Sequence, residues 1–283
     1  MNSAAFTAAV VCACLGTATH AAGQQSEARL VAEVDSIQPG MPFLVGVAIT
    51  LPDHWHTYWR NPGDSGMAPD LQWRLPEGFT AGPPLWPAPL RFEEEGLATF
   101  GYEHEVMLLQ QIRPPAALAT GAVYALEVDA AWLICQAVCM PQSRRLQLRL
   151  PARAEPPVQS VTNQPLFTRA RQGLPVAEPG WTFQSLADPA TLSLLVAPPQ
   201  GVPRERLIHA VFFPAQPNLV KYAPPVWTAD GNRLCLRMAR VSGGGPLPAR
   251  VQGVLVLPSA AQHGAKALEV DALLLAAAPD GQK

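Results

Sequence analysis

Beyond its first stretch the chain lacks any apolar run that approaches the roughly 20 residues needed to cross a bilayer as a helix, so no membrane span is expected in the mature chain. It also lacks an excess of charge of either sign. Twenty Lys and Arg against 22 Asp and Glu leave a net charge of −2, which gives no electrostatic reason to expect nucleic acid or an anionic membrane surface as a partner. No segment between its apolar runs keeps a helical period over about a dozen residues. Cysteine is scarce too, with five in 283 residues. Two of those five, Cys135 and Cys139 in WLICQAVCMPQ, nevertheless stand with only three residues between them.

What is present points to β architecture. A hydrophobic content of 48% with 15% charged residues is that of a packed globular chain, and its 31 prolines and 21 glycines punctuate short apolar runs. ARLVAEVDSI, FLVGVAITL, EVMLLQQI, YALEVDAAWLI and RRLQLRLPA carry alternating or continuous aliphatic residues bounded by Pro, Gly or Asp, as strands do. After Leu150 the stretch PARAEPPVQSVTNQP reads as a linker, followed by LFTRARQGLP, long enough for one or two helical turns. Strand-like runs resume at WTFQSL, TLSLLVAP, LIHAVFFP, NRLCLRMARV, RVQGVLVLP and ALEVDALLLAA. The expected fold is all-β, with two β-sandwich domains in tandem over residues 23–152 and 175–283, joined by a linker over 153–174.

The first charged side chain is Glu27, and AAFTAAVVCACLG followed by TATHAAG reads as a secretory signal peptide over residues 1–22, cleaved near Ala21 to Gly23. Cleavage removes Cys12 and Cys14 and leaves Cys135, Cys139 and Cys235. In an oxidising compartment an odd count leaves one thiol over. Cys235 is the expected odd one, on a strand with Leu234 and Leu236 on the opposite face.

Three readings of the close pair compete. In a straight strand, residues i and i+4 lie roughly 13 Å apart, whereas a disulfide needs Cα atoms within about 4.4–6.8 Å. Gln136, Ala137 and Val138 must therefore turn, most simply as the tip between YALEVDAAWLI and RRLQLRL. A structural staple makes poor use of so short a loop, because short loops gain least from cross-linking. A zinc site wants about four ligands and would call on His54 and His56 in DHWHTYW. A reversible dithiol needs exposed cysteines able to pass through a mixed disulfide.

Four motifs, HWHTYWRNPGDSGMAPDLQW, WPAPLRF, FGYEHEV and WLICQAVCMP, occur in an order and spacing that resemble the N-terminal periplasmic domain of DsbD-type protein-disulfide reductases, most closely the ScsB-like branch linked to copper tolerance. The resemblance covers about residues 28–150, and the second half looks like the further β domain of ScsB-like proteins. It implies an immunoglobulin-like domain in the periplasm whose cysteine pair accepts electrons from a membrane donor and hands them to thioredoxin-fold proteins. The redox-active disulfide then stands in place of any cofactor. The membrane and C-terminal thioredoxin-like domains of the family do not follow in this sequence, so a separate membrane electron donor is expected.

By resemblance Cys139 forms the mixed disulfide and Cys135 resolves it, Phe100 is the cap aromatic over the pair, and His56 and Tyr58 lie against the cysteine loop; the plainer reading makes Phe100 a core aromatic of the sandwich and has Trp55, Tyr58 and Trp59 pack. An imidazolium or hydroxyl there would stabilise a thiolate. The competing class is a copper-tolerance protein holding Cu(I) through Cys135 and Cys139 with His54, His56 or Met140, since soft thiolates and thioethers suit that ion. A third is a β-sandwich adaptor with an inert disulfide. Asn61, Pro62, Gly63, Asp64 and Gly66 are expected as a turn, and Glu93, Glu94 and Glu95 as a solvated loop face.

Overall fold

Runs such as EARLVA and FLVGVAIT put small or apolar side chains at every second position, the spacing of a strand with one face in a core. The computed structural model describes residues 25–203, 207–224, 226–230, 233–243, 245–258 and 266–276. The signal peptide expected over residues 1–22 lies outside them. The architecture is all-β, as expected, with sheets that pack as β-sandwiches.

In the first half, β1 (Glu27–Ala32), β2 (Phe43–Thr50), β5 (Thr80–Ala81) and β8 (Glu105–Arg113) form one sheet in the order β1-β2-β8-β5. The facing sheet holds β3 (His56–Gly63), β6 (Leu90–Glu94), β7 (Leu97–Glu103), β9 (Val123–Cys135) and β10 (Cys139–Pro151) in the order β10-β9-β3-β7-β6, with β4 (Asp70–Arg74) also on β9. Val45, Val47 and Ile49 from one sheet meet Leu126, Val128, Ile134 and Trp59 from the other. Each large side chain so buried contributes about 1.5–3 kcal/mol.

The stretch expected as a linker is docked, not free. Helix α1 (Gln164–Gln172) starts with proline in its first turn and carries Arg169 and Arg171 in its last, both favourable placements. It presses the buried Phe167 onto Ala48, Met107 and Leu109 on the outer face of the four-stranded sheet.

The second half is one seven-stranded sheet folded over a single core. It contains β11 (Thr182–Ala187), β12 (Thr191–Ala197), β13 (Val211–Pro214), β14 (Trp227–Asp230), β15 (Arg233–Ala239), β16 (Arg250–Leu257) and β17 (Lys266–Ala276), in the order β13-β16-β17-β11-β12-β15-β14. Leu192, Leu194 and Leu236 from one wing share a core with Phe212, Leu255 and Val270 from the other. The two wings join through the parallel pair β11–β17.

The halves also share apolar surface, because Phe213, Val254 and Ala267 pack into the core of the first half. Asn61, expected in a turn, instead lies within β3 and is fully buried. Its amide donates to Pro214 O at 2.7 Å and to the Tyr222 hydroxyl at 3.1 Å. The register of β3 against β7 shifts between Tyr58 and Gly63, so the strand runs irregularly through Asn-Pro-Gly before the chain bends at Asp64 and Ser65.

Candidate functional site

Strands β9 and β10 run antiparallel for thirteen residues each and end opposite one another at Cys135 and Cys139. Gln136, Ala137 and Val138 form the tip expected between them. The two Cα atoms come to 4.1 Å, and the sulfurs are joined in a disulfide. The pair is unequal: Cys135 is 2% exposed, whereas Cys139 lies open at the tip.

Register determines which side chains join the sulfurs. His56 pairs with Cys135 across β3 and β9, and the Thr57 hydroxyl donates to Leu133 O at 2.8 Å, holding the two strands together. Paired residues share a face, so His56, and Tyr58 two residues on, lie on the outer face with the disulfide, while Thr57 and Trp59 point inward. The Tyr58 hydroxyl is 3.7 Å from Cys139 Sγ. The His56 and Tyr58 rings meet edge to face at 5.3 Å. Gly66 seats the tyrosine: its φ is +98°, and a Cβ there would come within 2.1 Å of Tyr58 Cε1. Only glycine tolerates both conditions without moving the ring.

The electrostatics favour neutral partners. Burial lowers the His56 pKa, with Glu94 and Glu103 opposing the change. Burial, then Glu94, raises the Tyr58 pKa. At neutral pH the sulfurs therefore face an uncharged imidazole and an intact phenol. The imidazole Nε2 is buried without a hydrogen-bond partner among the described residues.

Four of the expected site residues, Cys135, Cys139, His56 and Tyr58, come together. Phe100 does not join them. On β7 it shares the inner-facing parity of Tyr102, is 1% exposed, and meets Phe213 and Tyr222 of the second half at 5.0 and 4.9 Å. The aromatic of β6 that reaches this group is Phe92, stacked on His56 at 4.7 Å with rings 19° apart. The sequence reading missed it, and missed Glu94 as a charge felt by His56. The available signal was parity within LRFEE, which separates Leu90 and Phe92 from Arg91.

Of the further copper donors, His54 sits exposed in the turn before β3 with φ +67°, and Met140, paired with Ile134, turns toward the core. No group of three or more His, Cys, Asp or Glu stands ready to hold a metal among the described residues. Cys235 is a free, half-buried thiol on β15, with Leu234 and Leu236 buried on the other face.

The family described as thiol:disulfide interchange protein DsbD, N-terminal, matches residues 26–151. Among solved structures, the N-terminal periplasmic domain of ScsB from Proteus mirabilis aligns with a TM-score of 0.62 at 19% identity, covering 87% of this chain and 93% of that one. Spo0M, a sporulation control protein from Bacillus subtilis, aligns at 0.23 and 10% identity over 87% and 89% of the two chains. BcpA, the major pilin subunit of Bacillus cereus, aligns at 0.28 and 8% over 89% and 69%. No curated protein matches the chain.

Proposed function

Because residues 26–151 are a DsbD-type N-terminal domain, ScsB-like in fold, we propose that this chain is a periplasmic thiol–disulfide exchange module that relays reducing equivalents between partner proteins through Cys135 and Cys139. The observation that carries the reading is the unequal exposure of the pair, with an open Cys139 beside the Tyr58 hydroxyl and a buried Cys135 beside His56. Periplasmic location draws support from the relative's description, and no helix of the described residues is long and apolar enough to cross a membrane.

The chemistry follows from which sulfur a partner can reach. A donor thiolate attacks Cys139 Sγ, the Cys135–Cys139 bond breaks, and Cys135 leaves with the electron pair and takes up a proton. The donor's second thiol then attacks its own mixed-disulfide sulfur and releases Cys139 as a thiolate. Next, Cys139 attacks the disulfide of a thioredoxin-fold acceptor and frees one acceptor thiol. Finally Cys135, giving up its proton, attacks Cys139 Sγ, re-forms the disulfide and releases the acceptor's second thiol. Two electrons and two protons pass from donor to acceptor. Tyr58 steadies charge at Cys139, and the uncharged His56 offers the buried Cys135 a hydrogen-bond partner and a place for its proton.

The test is trapping in metal-free buffer with a thioredoxin-fold partner whose resolving cysteine has been removed and whose remaining cysteine carries thionitrobenzoate as a mixed disulfide, so that attack by a thiolate of this chain releases thionitrobenzoate. Cys135→Ser should accumulate a mixed disulfide through Cys139, seen on a non-reducing gel and mapped by mass spectrometry. Cys139→Ser should accumulate little. Equal trapping by both would sink the assigned roles, and exchange that needs added copper would move the reading to Cu(I) binding.

A further inference from the structure

The two cysteines begin a row that continues past them across the sheet. Cys139 of β10 is opposite Cys135 of β9, Cys135 is opposite His56 of β3, and His56 is opposite Glu103 of β7. Residues paired in this way share a face, with Cβ atoms about 4.5–5.5 Å apart, so two sulfurs, an imidazole and a carboxylate stand in file. Exposure changes along it. Cys135 is 2% exposed and His56 5%, whereas the Glu103 side chain is 47% exposed and lies 3.9 Å from the exposed His104. From the buried sulfur the row therefore leads to water through one buried base.

Closing the disulfide needs such a route. Cys135 must lose a proton before it attacks Cys139 Sγ, and water has little access to take it there. The titratable groups that face His56 are Tyr58 on its own strand, Cys135 on β9, Glu103 on β7 and Glu94 on β6. Arg91 and Glu93 pair with each other on the opposite face of β6. Burial lowers the His56 pKa, and the two carboxylates oppose the change. A ring that is neutral at rest is ready to accept a proton, and the carboxylates favour the imidazolium once it forms. Stacking on Phe92 holds the plane of the ring.

We propose that this row is the proton exit of the buried cysteine, with His56 as the base and Glu103 and Glu94 as positioning residues that act through it. As Cys135 attacks, its S–H proton passes to the imidazole, the new S–S bond forms, and the thiol bound to Cys139 leaves with the electron pair of the broken bond. The imidazolium then gives its proton to water beside Glu103, and the ring is neutral again. Opening of the disulfide brings a proton in along the same row. The route rests on the exchange reading for the identity of the reactive pair, but on no protein partner.

The experiment uses the mature full chain carrying Cys235→Ala, reduced and mixed with dithiobis(nitrobenzoate) in chelator-treated buffer. Cys139 takes up one thionitrobenzoate and releases another; Cys135 then displaces the first, so the second release times the closing step alone. With His56 intact that rate should be level between about pH 6.5 and 7.5, where the imidazole is neutral. In His56→Phe, which keeps a ring to stack, it should climb with pH toward the ordinary thiol value of about 8.5 and be about tenfold slower at pH 7. Glu103→Gln should slow closing about threefold and move the acid limb of the profile to lower pH, because a charge that favours the imidazolium is lost. Glu103→Asp should restore most of the rate, and about 1 M salt should shrink the difference. A level profile that survives in His56→Phe, or a Glu103→Gln profile identical to that of the parent, would overturn the proposal. Glu103 lies at the surface, so its variant decides even where His56→Phe loses the folded near-ultraviolet signal. Absence of a second release would overturn the reactive pair together with its proton exit. Failure to trap a thioredoxin-fold partner would count against the relay alone and leave this result standing.

Discussion

Cysteines stand in both halves of the molecule, in strands of similar alternation, and their surroundings are opposites. On β15, Cys235 lies in register with Leu195 on one side and Thr228 on the other, in mid-strand and with no second sulfur opposite. On β9, Cys135 lies in register with Cys139 on one side and His56 on the other, at the end of a hairpin. The comparison teaches that strand register, more than local sequence, decides what a cysteine can do here. It places one thiol among inert neighbours and gives another an imidazole and a bonding partner, Cys139, through which the pair reaches solvent.

The largest expected effect breaks the comparison outright. Replacing Cys139 with Ser should abolish exchange with a thioredoxin-fold partner, whereas Cys235→Ala should leave its rate unchanged in a stopped-flow or gel assay. A loss of activity in Cys235→Ala would erase the distinction between the two environments. The second prediction is structural. Mild dithiol should open Cys135–Cys139 with the near-ultraviolet circular dichroism retained, and denaturant titration should find the reduced chain about 2 kcal/mol less stable, the entropy lost on closing so short a loop. Collapse of the folded signal on reduction would make the bridge a staple.

Gly66 offers a sharper probe of the first environment. Gly66→Ala should cost about 1–2 kcal/mol through its positive φ, and it should slow exchange because the added methyl pushes the Tyr58 ring away from Cys139. Unchanged kinetics with the stability loss alone would remove Tyr58 from the chemistry. The smallest effect concerns His56. Its folded pKa is depressed below the unfolded value of about 6.5, so below that pH the unfolded chain binds the proton more readily. Stability is then full above pH 6.5 and falls as the pH drops from there toward the folded value. His56→Phe should flatten that part of the stability profile in denaturant titrations at pH 7 and pH 5. An unchanged profile would mean that the imidazole is not held neutral by burial.

Much of the fold was legible because its strands are long and alternate. β1, β2, β8, β9 and β10 overlap runs read from aliphatic spacing, and the hairpin tip followed from the reach of a disulfide. The strands that went unread are those whose burial depends on distant partners. β6 spells Leu-Arg-Phe-Glu-Glu, an edge strand too short and too charged to declare itself. β3 runs on through Asn-Pro-Gly because the Asn61 amide is satisfied by the carbonyl of Pro214, 153 residues away. In LIHAVFFP only Val211–Pro214 is strand, since Leu207 to His209 turn.

The same limit applies to the site. Cys135, Cys139, His56 and Tyr58 could be assembled from motif and parity, but choosing between Phe92 and Phe100 as the ring that meets His56 needed the register of β6 on β7. Arg91 opposite Phe100, and Phe92 opposite Thr99, put the two rings on opposite faces. Parity within LRFEE separates Phe92 from Arg91, but it does not say which of their two faces meets His56, because parity is reset at the turn between the strands.

The long hairpin behind the cysteines also has a kinetic meaning. When the disulfide opens, the thirteen-residue ladder from Cys135–Cys139 back to Val123–Pro151 remains, and a slip of one residue would turn Leu146 and Leu150 out of the core. The two sulfurs therefore stay neighbours at a high effective concentration, with no chain search separating one turnover from the next. Ring closure becomes a matter of proton removal and bond alignment, so the waiting time of a partner on Cys139 is set at a single pair of atoms.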